Sequence, residues 1–286
     1  MDSPLPWLDV CVIAFYLIGI TWLGLSLGKK LQQGTDYFMP RRFGKGMMMM
    51  HAFGTGTASD QAVVVASGTF RQGLSGIWYQ WLWLFNTPFY WLLAPIFRRF
   101  RATTTADVYA LRFGQSVAVL FALVGIVGLC VKIGLLLKGA GALIESGTQG
   151  AISAHWAVPL VAVLFVVYGM AGGLGAAIVT DYLQGILTIV FSVMLLPWVL
   201  EAVQGWQGVR ETLDDPSMLS LVAPEGITPF FIATFSLLSL VGIVAQPFIM
   251  GVCAAGRTEI DGRFGFVVGN LIKRVCTAAW AVTGIA

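Results

Sequence analysis

Long uncharged apolar runs, separated by short polar segments, set the pattern of this chain. Val10 to Gly28, Leu74 to Phe97 and Tyr182 to Leu200 carry no charge, and Ile227 to Gly256 is uncharged but interrupted by Pro229 and Pro247. A membrane-crossing helix needs about 20 mostly apolar residues, so each run is long enough to span. Trp156 to about Val179 is another uncharged run, with a glycine-rich second half. Three further segments are apolar with embedded ionisable residues: Met47 to Gly68 (His51, Asp60), Val117 to Ile144 (Lys132, Lys138) and Phe264 to Ala286 (Lys273, Arg274). The pattern predicts eight transmembrane helices in one all-α polytopic membrane domain over 1–286. Their approximate ranges are 8–28, 46–70, 74–97, 116–145, 155–174, 179–201, 228–254 and 264–286.

Composition narrows the class further. The 286 residues are 57% hydrophobic and only 11% charged, with mean hydropathy +0.82. A soluble domain carries about 25% charged residues, so this chain is too poor in charge for an ordinary cytosolic enzyme. Its net charge of +3 is scattered along the chain, which also excludes a nucleic-acid binder. Cys11, Cys130, Cys253 and Cys276 lie far apart in apolar stretches, without the clustering of a zinc site or a disulfide framework. The segment before the first run has no Lys or Arg and carries Asp2 and Asp9, which argues against a signal peptide.

Orientation follows from the basic residues. With the amino terminus outside, cytoplasmic loops hold Lys29, Lys30, Arg41, Arg42, Lys45, Arg98, Arg99, Arg101, Arg112, Arg257 and Arg263. The opposite loops hold only Arg71 and Arg210, while Glu211, Asp214, Asp215 and Glu225 sit in the longest of them. Eleven against two places the protein as a multi-pass inner (plasma) membrane protein with its amino terminus outside.

The second run breaks its own apolar pattern. Gly54, Thr55, Gly56, Thr57, Ser59, Asp60 and Gln61 fall within eight positions at about the bilayer midplane. Glycine and hydroxyl residues there suit a helix that unwinds, frees carbonyls for a cation and aims a half-helix amino end at an anion. The plainer alternative is close helix packing at the glycines, with hydroxyls bonding back to the preceding turn. Asp60 favours function, because an aspartate at the centre of a span costs about 3 kcal/mol on insertion scales.

Gly169, Gly172, Gly173 and Gly175 predict a tight re-entry between the fifth and sixth spans. Thr180 and Asp181 then open the sixth helix, either as N-cap or as an acid at the inner mouth of a cation path. Lys132 and Lys138 are read as snorkelling or internally paired, with Lys138 and Glu145 on one face. Lys273 and Arg274 are open to a cavity-facing role. His51 is read as a packed or interfacial histidine, and Met47 to Met50 as filler.

At these residues the chain resembles the sodium/solute symporter family, which includes the sodium/galactose, sodium/proline and sodium/iodide transporters. Tyr168 to Gln184, YGMAGGLGAAIVTDYLQ, is similar to the family's Y…GG…AV..TD..Q signature. Weaker likenesses follow in order at Asp36 to Arg42 (DYFMPRR), Thr104 to Gly114 (TTADVYALRFG) and Gln246 to Gly256.

The resemblance implies a LeuT-like five-plus-five inverted-repeat fold with one extra N-terminal helix. It also implies an incomplete second repeat, the chain being truncated after core helix seven. Sodium would be bound by Gly54 and Thr57, with Asp181 aiding its release. The hydroxyl ligands of core helix eight are absent from these 286 residues. Substrate contacts would fall on Asp60, Gln61, Gln80 and Lys273, and the polar cluster and the seventh span add Thr55, Ser59 and Gln246. Where sugar transporters place a tyrosine gate, residues 239–245 are SLVGIVA, and Met250-Gly251 replaces a Gln-Arg pair, so a sugar cargo is disfavoured.

The expectation is a sodium-coupled secondary active symporter for a small polar or organic solute. Its partners would be that solute, Na+ and the bilayer, with no cofactor beyond the coupling ion and no nucleic acid. The alternative is a non-transporting membrane sensor or interaction module that retains the fold. An enzyme is not expected: Asp60 and Asp181 lie in different spans, and no Ser–His or metal spacing appears.

Overall fold

A computed structural model describes residues 6–29, 34–213, 215–223 and 226–286, so Lys30, Asp214 and Glu225 of the charge count lie outside the described residues. Every extended element within them is helical. In chain order these are α1 (Trp7–Gly28), α2 (Gly34–Phe38), α3 (Lys45–Gly56), α4 (Ser59–Gln72), α5 (Trp78–Trp81), α6 (Thr87–Phe100), α7 (Thr105–Phe113), α8 (Gln115–Gly147), α9 (Ala154–Ala202), α10 (Gly205–Thr212), α11 (Pro229–Gly242), α12 (Ile249–Ala254) and α13 (Glu259–Ile285). Among them α1, α8 and α9 are long and apolar enough to cross a membrane by length and composition. They also expose large apolar side chains along their lengths, among them Phe15, Trp22, Leu123, Val131 and Trp198. Exposed apolar surface this continuous is foreign to a water-soluble monomer.

The second span, 46–70, is interrupted where its glycine and hydroxyl cluster predicts unwinding: it forms two helices, α3 and α4, with Thr57 and Ala58 extended between them. Two further runs that read as continuous in the sequence are also broken. The stretch expected over 74–97 is a 3-10 turn (Gly73–Ile77), the short α5, a string of turns and α6. Pro88 in the first turn of α6 fits a helix start there, where its missing N–H is no loss. The stretch expected over 228–254 divides into α11, a 3-10 turn (Ile243–Ala245) and α12, with the extended Gln246 preceding Pro247. A residue before proline is pushed out of the helical region, which accounts for the break.

Between the fifth and sixth runs the opposite holds. The helix restarts at once, and α9 is kinked only at Gly173 (φ 55°, ψ −154°). Thr180 and Asp181 therefore lie well inside the second limb rather than at an N-cap, and Thr180 Oγ1 donates to the Ala177 carbonyl (3.0 Å). A Cβ at Gly173 would stand 2.4 Å from the Tyr37 carbonyl oxygen, so both the backbone angle and the contact with α2 require glycine.

The broken pair α3–α4 is held by α13. Cβ atoms placed on Gly265 and Gly269 would fall 2.7 Å from the Met48 backbone and 2.4 Å from the Met49 carbonyl oxygen, and one on Gly284 would meet Ala66 of α4 at 2.2 Å. Glycines four apart let helix backbones touch, the usual device where lipid supplies no hydrophobic drive. The same ends of the molecule gather the same loops. Phe43 bridges Gly256, Arg98 donates to the Arg257 carbonyl (3.2 Å) and Arg99 pairs with Glu259 (2.8 Å), so three basic loops meet at one end. There the Arg99 guanidinium holds the Glu259 carboxyl below the usual carboxylate range. Capping boxes at Thr104–Asp107 and Thr258–Asp261 start α7 and α13 at this end. At the other end Trp78 donates to the Leu221 carbonyl (2.8 Å) and Gly73 abuts Met218.

Candidate functional site

The interruption at 57–58 leaves polar atoms without protein partners. Thr57 Oγ1, Asp60 Oδ1 and Gln61 Oε1 are all buried and make no hydrogen bond. Native proteins leave few such groups, and each costs about 1–3 kcal/mol. The Gly54 carbonyl accepts the Thr57 N–H (3.1 Å), closing α3 with one tight turn, while the Gly56 carbonyl accepts the Lys273 ammonium. That carbonyl lies at the negative end of the α3 dipole, where a cation is favoured. Asp60 opens α4 near its positive end and lies close to α8, where a Cβ on Gly139 would come within 3.2 Å of Asp60 Cβ.

Beside the interruption lies a cavity of about 260 Å³. It gathers Thr55, Gln61, Gln80, Gln246 and Lys273 from five separate elements or turns. Of the predicted solute and sodium contacts, these five share one space, and Gly56, Lys132 and Arg274, also singled out from the sequence, line it with them. Asp60 and Thr57 are half-buried next to it without lining it, and the side chain of Ser59 lies outside the described residues. Tyr90 and Phe266, stacked at 4.0 Å, form an apolar wall, and Asn270 completes the polar side. Two neighbours carry further charge: Arg274, whose Nη1 donates to the Gln80 carbonyl (2.7 Å), and Lys132, whose ammonium sits 4.7 Å from the centre of the Phe248 ring. Lys132 thus reaches the cavity rather than serving only as a snorkelling residue. Lys138 and Glu145 form no ion pair.

Gly54 and Asp181 belong to the neighbouring side of the interruption. A Cβ on Gly54 would lie 3.1 Å from Asp181 Cγ, so glycine is what admits the carboxylate. Asp181 Oδ2 is 2.7 Å from His51 Nδ1, and Thr55 Oγ1 lies 3.3 Å from the same nitrogen. His51 is buried and borders a second cavity of about 280 Å³ on the basic-loop side, together with Thr104, Leu174 and Pro247. Thr55, Phe248 and Val252 line both cavities and so form the wall between them. Sequence reasoning missed Phe248 and Asn270, and although it read His51 as packed or interfacial, as its burial bears out, it did not foresee its contact with Asp181. For His51 the signal was faint, since its partner is 130 residues away. Among the described residues no three His, Cys, Asp or Glu side chains converge as a metal centre.

The sequence profile of the sodium:solute symporter family matches residues 37–280. The chain belongs to that family. It is thus a multi-pass membrane protein of a transporter family, not an enzyme. The chain is 23% identical over 282 residues to the sodium/pantothenate symporter of Escherichia coli K12, covering 91% of this chain and 56% of that protein. It is 25% identical over 215 residues to the sodium/myo-inositol cotransporter 2 of Sus scrofa, covering 71% and 31%. A solved structure of a Na+-coupled sialic acid symporter, in a substrate-bound outward-open state, superposes with TM-score 0.83 at 16% identity, over 98% of this chain and 60% of that one. The likeness establishes a shared all-helical symporter fold. The chain spans about half the length of the sodium/pantothenate symporters it matches.

Proposed function

We propose that this chain carries the coupling and solute-binding centre of a sodium-coupled secondary active symporter for a small polar or organic solute, working by alternating access around the interruption at 57–58. The observation that carries it is the set of three buried, unpartnered oxygens of Thr57, Asp60 and Gln61 beside a polar cavity. Bare atoms gathered beside a polar cavity call for a partner held in that cavity, an ion, a solute or water. The two interrupted helices, α3–α4 and α11–α12, occupy the places where an inverted repeat positions its discontinuous elements. This supports a five-plus-five core preceded by α1 and followed here through the second helix of its second repeat.

In this scheme the carbonyls of Gly54 and Thr57 hold sodium, and Asp181, beside Gly54, receives the ion on its way to the basic-loop side. The solute contacts Thr55, Gln61, Gln80, Gln246 and Lys273, the predicted contacts that line the cavity. The basic end faces the cytoplasm and the amino terminus lies outside the plasma membrane. Pantothenate and myo-inositol, named for the relatives, are small polar organic molecules of the kind the cavity suits.

The test is uptake of radiolabelled pantothenate and myo-inositol into proteoliposomes holding the 286-residue chain. At least one accumulates under an inward sodium gradient, potassium does not replace sodium, and Asp60→Ala abolishes the accumulation. Uptake indifferent to sodium overturns the coupling.

A further inference from the structure

The charge of the cavity is one-sided. Lys132, Lys273 and Arg274 all line it, and no aspartate or glutamate does. None of the three makes an ion pair with a carboxylate: the ion pairs among the described residues are His51–Asp181, Arg99–Glu259 and Arg263–Glu259. Each cation leans instead on a neutral group. Lys273 donates to the Gly56 carbonyl, Arg274 Nη1 to the Gln80 carbonyl, and Lys132 rests over the Phe248 ring. Asp60 lies outside the lining and makes no ion pair with any of them, acting on Lys273 only from beyond ion-pair distance.

Arg274 supplies the decisive detail. Its side chain is only 5% exposed, and its Nε is buried with no hydrogen-bond partner. A guanidinium presents its donors as a planar fork that matches the two oxygens of a carboxylate. Here one prong is occupied by the Gln80 carbonyl, and the Nε prong is idle beside the cavity. Ionisable residues inside membrane-spanning segments mark substrate and ion paths or the counter-ions of ligands.

We infer that the solute is an organic anion, a small carboxylate whose charge is held by Arg274, Lys273 and Lys132. This rests on the solute-binding reading of the cavity given above and narrows it to one chemical class. The carboxylate meets the Arg274 fork. Gln61 Oε1, unpartnered, accepts a hydroxyl or amide N–H of the same solute, and the Tyr90–Phe266 stack covers its carbon chain. The volume of about 260 Å³ equals roughly nine waters at ~30 Å³ each, room for a compact solute rather than a long chain. Electroneutrality gives the arrangement a second consequence: the anion and the coupling cation offset one another's charge, so each is expected to raise the other's affinity.

The test is calorimetric titration of the 286-residue chain in lipid nanodiscs, in sodium and in potassium. The probes are lactate against lactamide, glycerate against glycerol and gluconate against gluconamide. At least one carboxylate binds while its neutral partner does not, and Arg274→Gln and Lys273→Gln each weaken it about tenfold or more, the loss of one charge-assisted hydrogen bond. Lys132→Gln, on an exposed stretch of α8, keeps the test alive should the buried variants fail to fold, and it too weakens carboxylate binding. No carboxylate binding, neutral partners that bind equally well, or affinity unchanged in all three variants overturns the anion. A neutral partner that binds only in sodium overturns the anion while supporting sodium coupling. Carboxylate binding that ignores sodium supports the anion while overturning the coupling.

Discussion

The interruption at 57–58 and the kink at Gly173 arise from similar sequence, both rich in glycine and flanked by threonine and aspartate, yet they end differently. At Gly173 the protein fills the space it opens: the Tyr37 backbone packs against the glycine and the Tyr37 hydroxyl reaches the Gly169 carbonyl (3.5 Å). At 57–58 the chain leaves Thr57, Asp60 and Gln61 with bare oxygens beside a cavity. Glycine content announces irregular backbone in both places. Only the unsatisfied side chains separate a seat for a ligand from a joint in the scaffold.

This contrast can be broken most forcefully at Asp60. Asp60→Ala is expected to reduce sodium-driven uptake to background while raising thermal stability, because a half-buried carboxylate with one bare oxygen, costing up to about 3 kcal/mol inside a span, is removed. A melting curve alongside the uptake assay checks both halves, and loss of stability together with uptake would make Asp60 a structural residue. Gly173→Val should do the reverse. It forces a β-branched residue into positive φ against Tyr37 and should lower stability by about 1–3 kcal/mol or more, by denaturation midpoint, without a selective change in sodium response.

A smaller effect is expected at the His51–Asp181 pair. His51→Ala leaves Asp181 without its 2.7 Å partner and is expected to cost about 2 kcal/mol, the worth of a hydrogen bond to a charged group. His51→Gln, which can still donate, is expected to recover most of it in the same melts. The smallest effect belongs to Arg99→Ala. Glu259 is held below its ordinary range by Arg99, so the pair contributes above the usual glutamate pKa of about 4 and loses that contribution as pH falls through the lowered folded-state value. Both side chains are well exposed, and melts of the wild type and Arg99→Ala at neutral pH should nearly coincide.

Much of this was legible in the chain itself. The interruption at 57–58 follows from Gly54, Gly56 and the hydroxyl run, and Pro247 marked the weak point of the seventh apolar run. The same reasoning failed at 74–97, where Trp78, Trp81 and Trp83 keep the run apolar although the backbone turns repeatedly. It misplaced Thr180 and Asp181 because one residue in positive φ suffices to turn α9, so the second limb begins six residues before Thr180 and no cap is needed there. Pairings across the fold were out of reach: nothing local to His51 points to Asp181, and Lys132 reads as a snorkelling residue until Phe248 and the cavity are seen beside it. Local sequence encodes where the backbone yields, whereas distant packing decides which polar atoms stay bare.

Hydrogen–deuterium exchange of the 286-residue chain in nanodiscs, in sodium against potassium, tests the ion seat most directly. Sodium is expected to slow exchange across residues 54–61 and to leave 169–177 unchanged. Equal exchange at 54–61 in the two salts, or the same slowing at both segments, contradicts an ion held at the interruption.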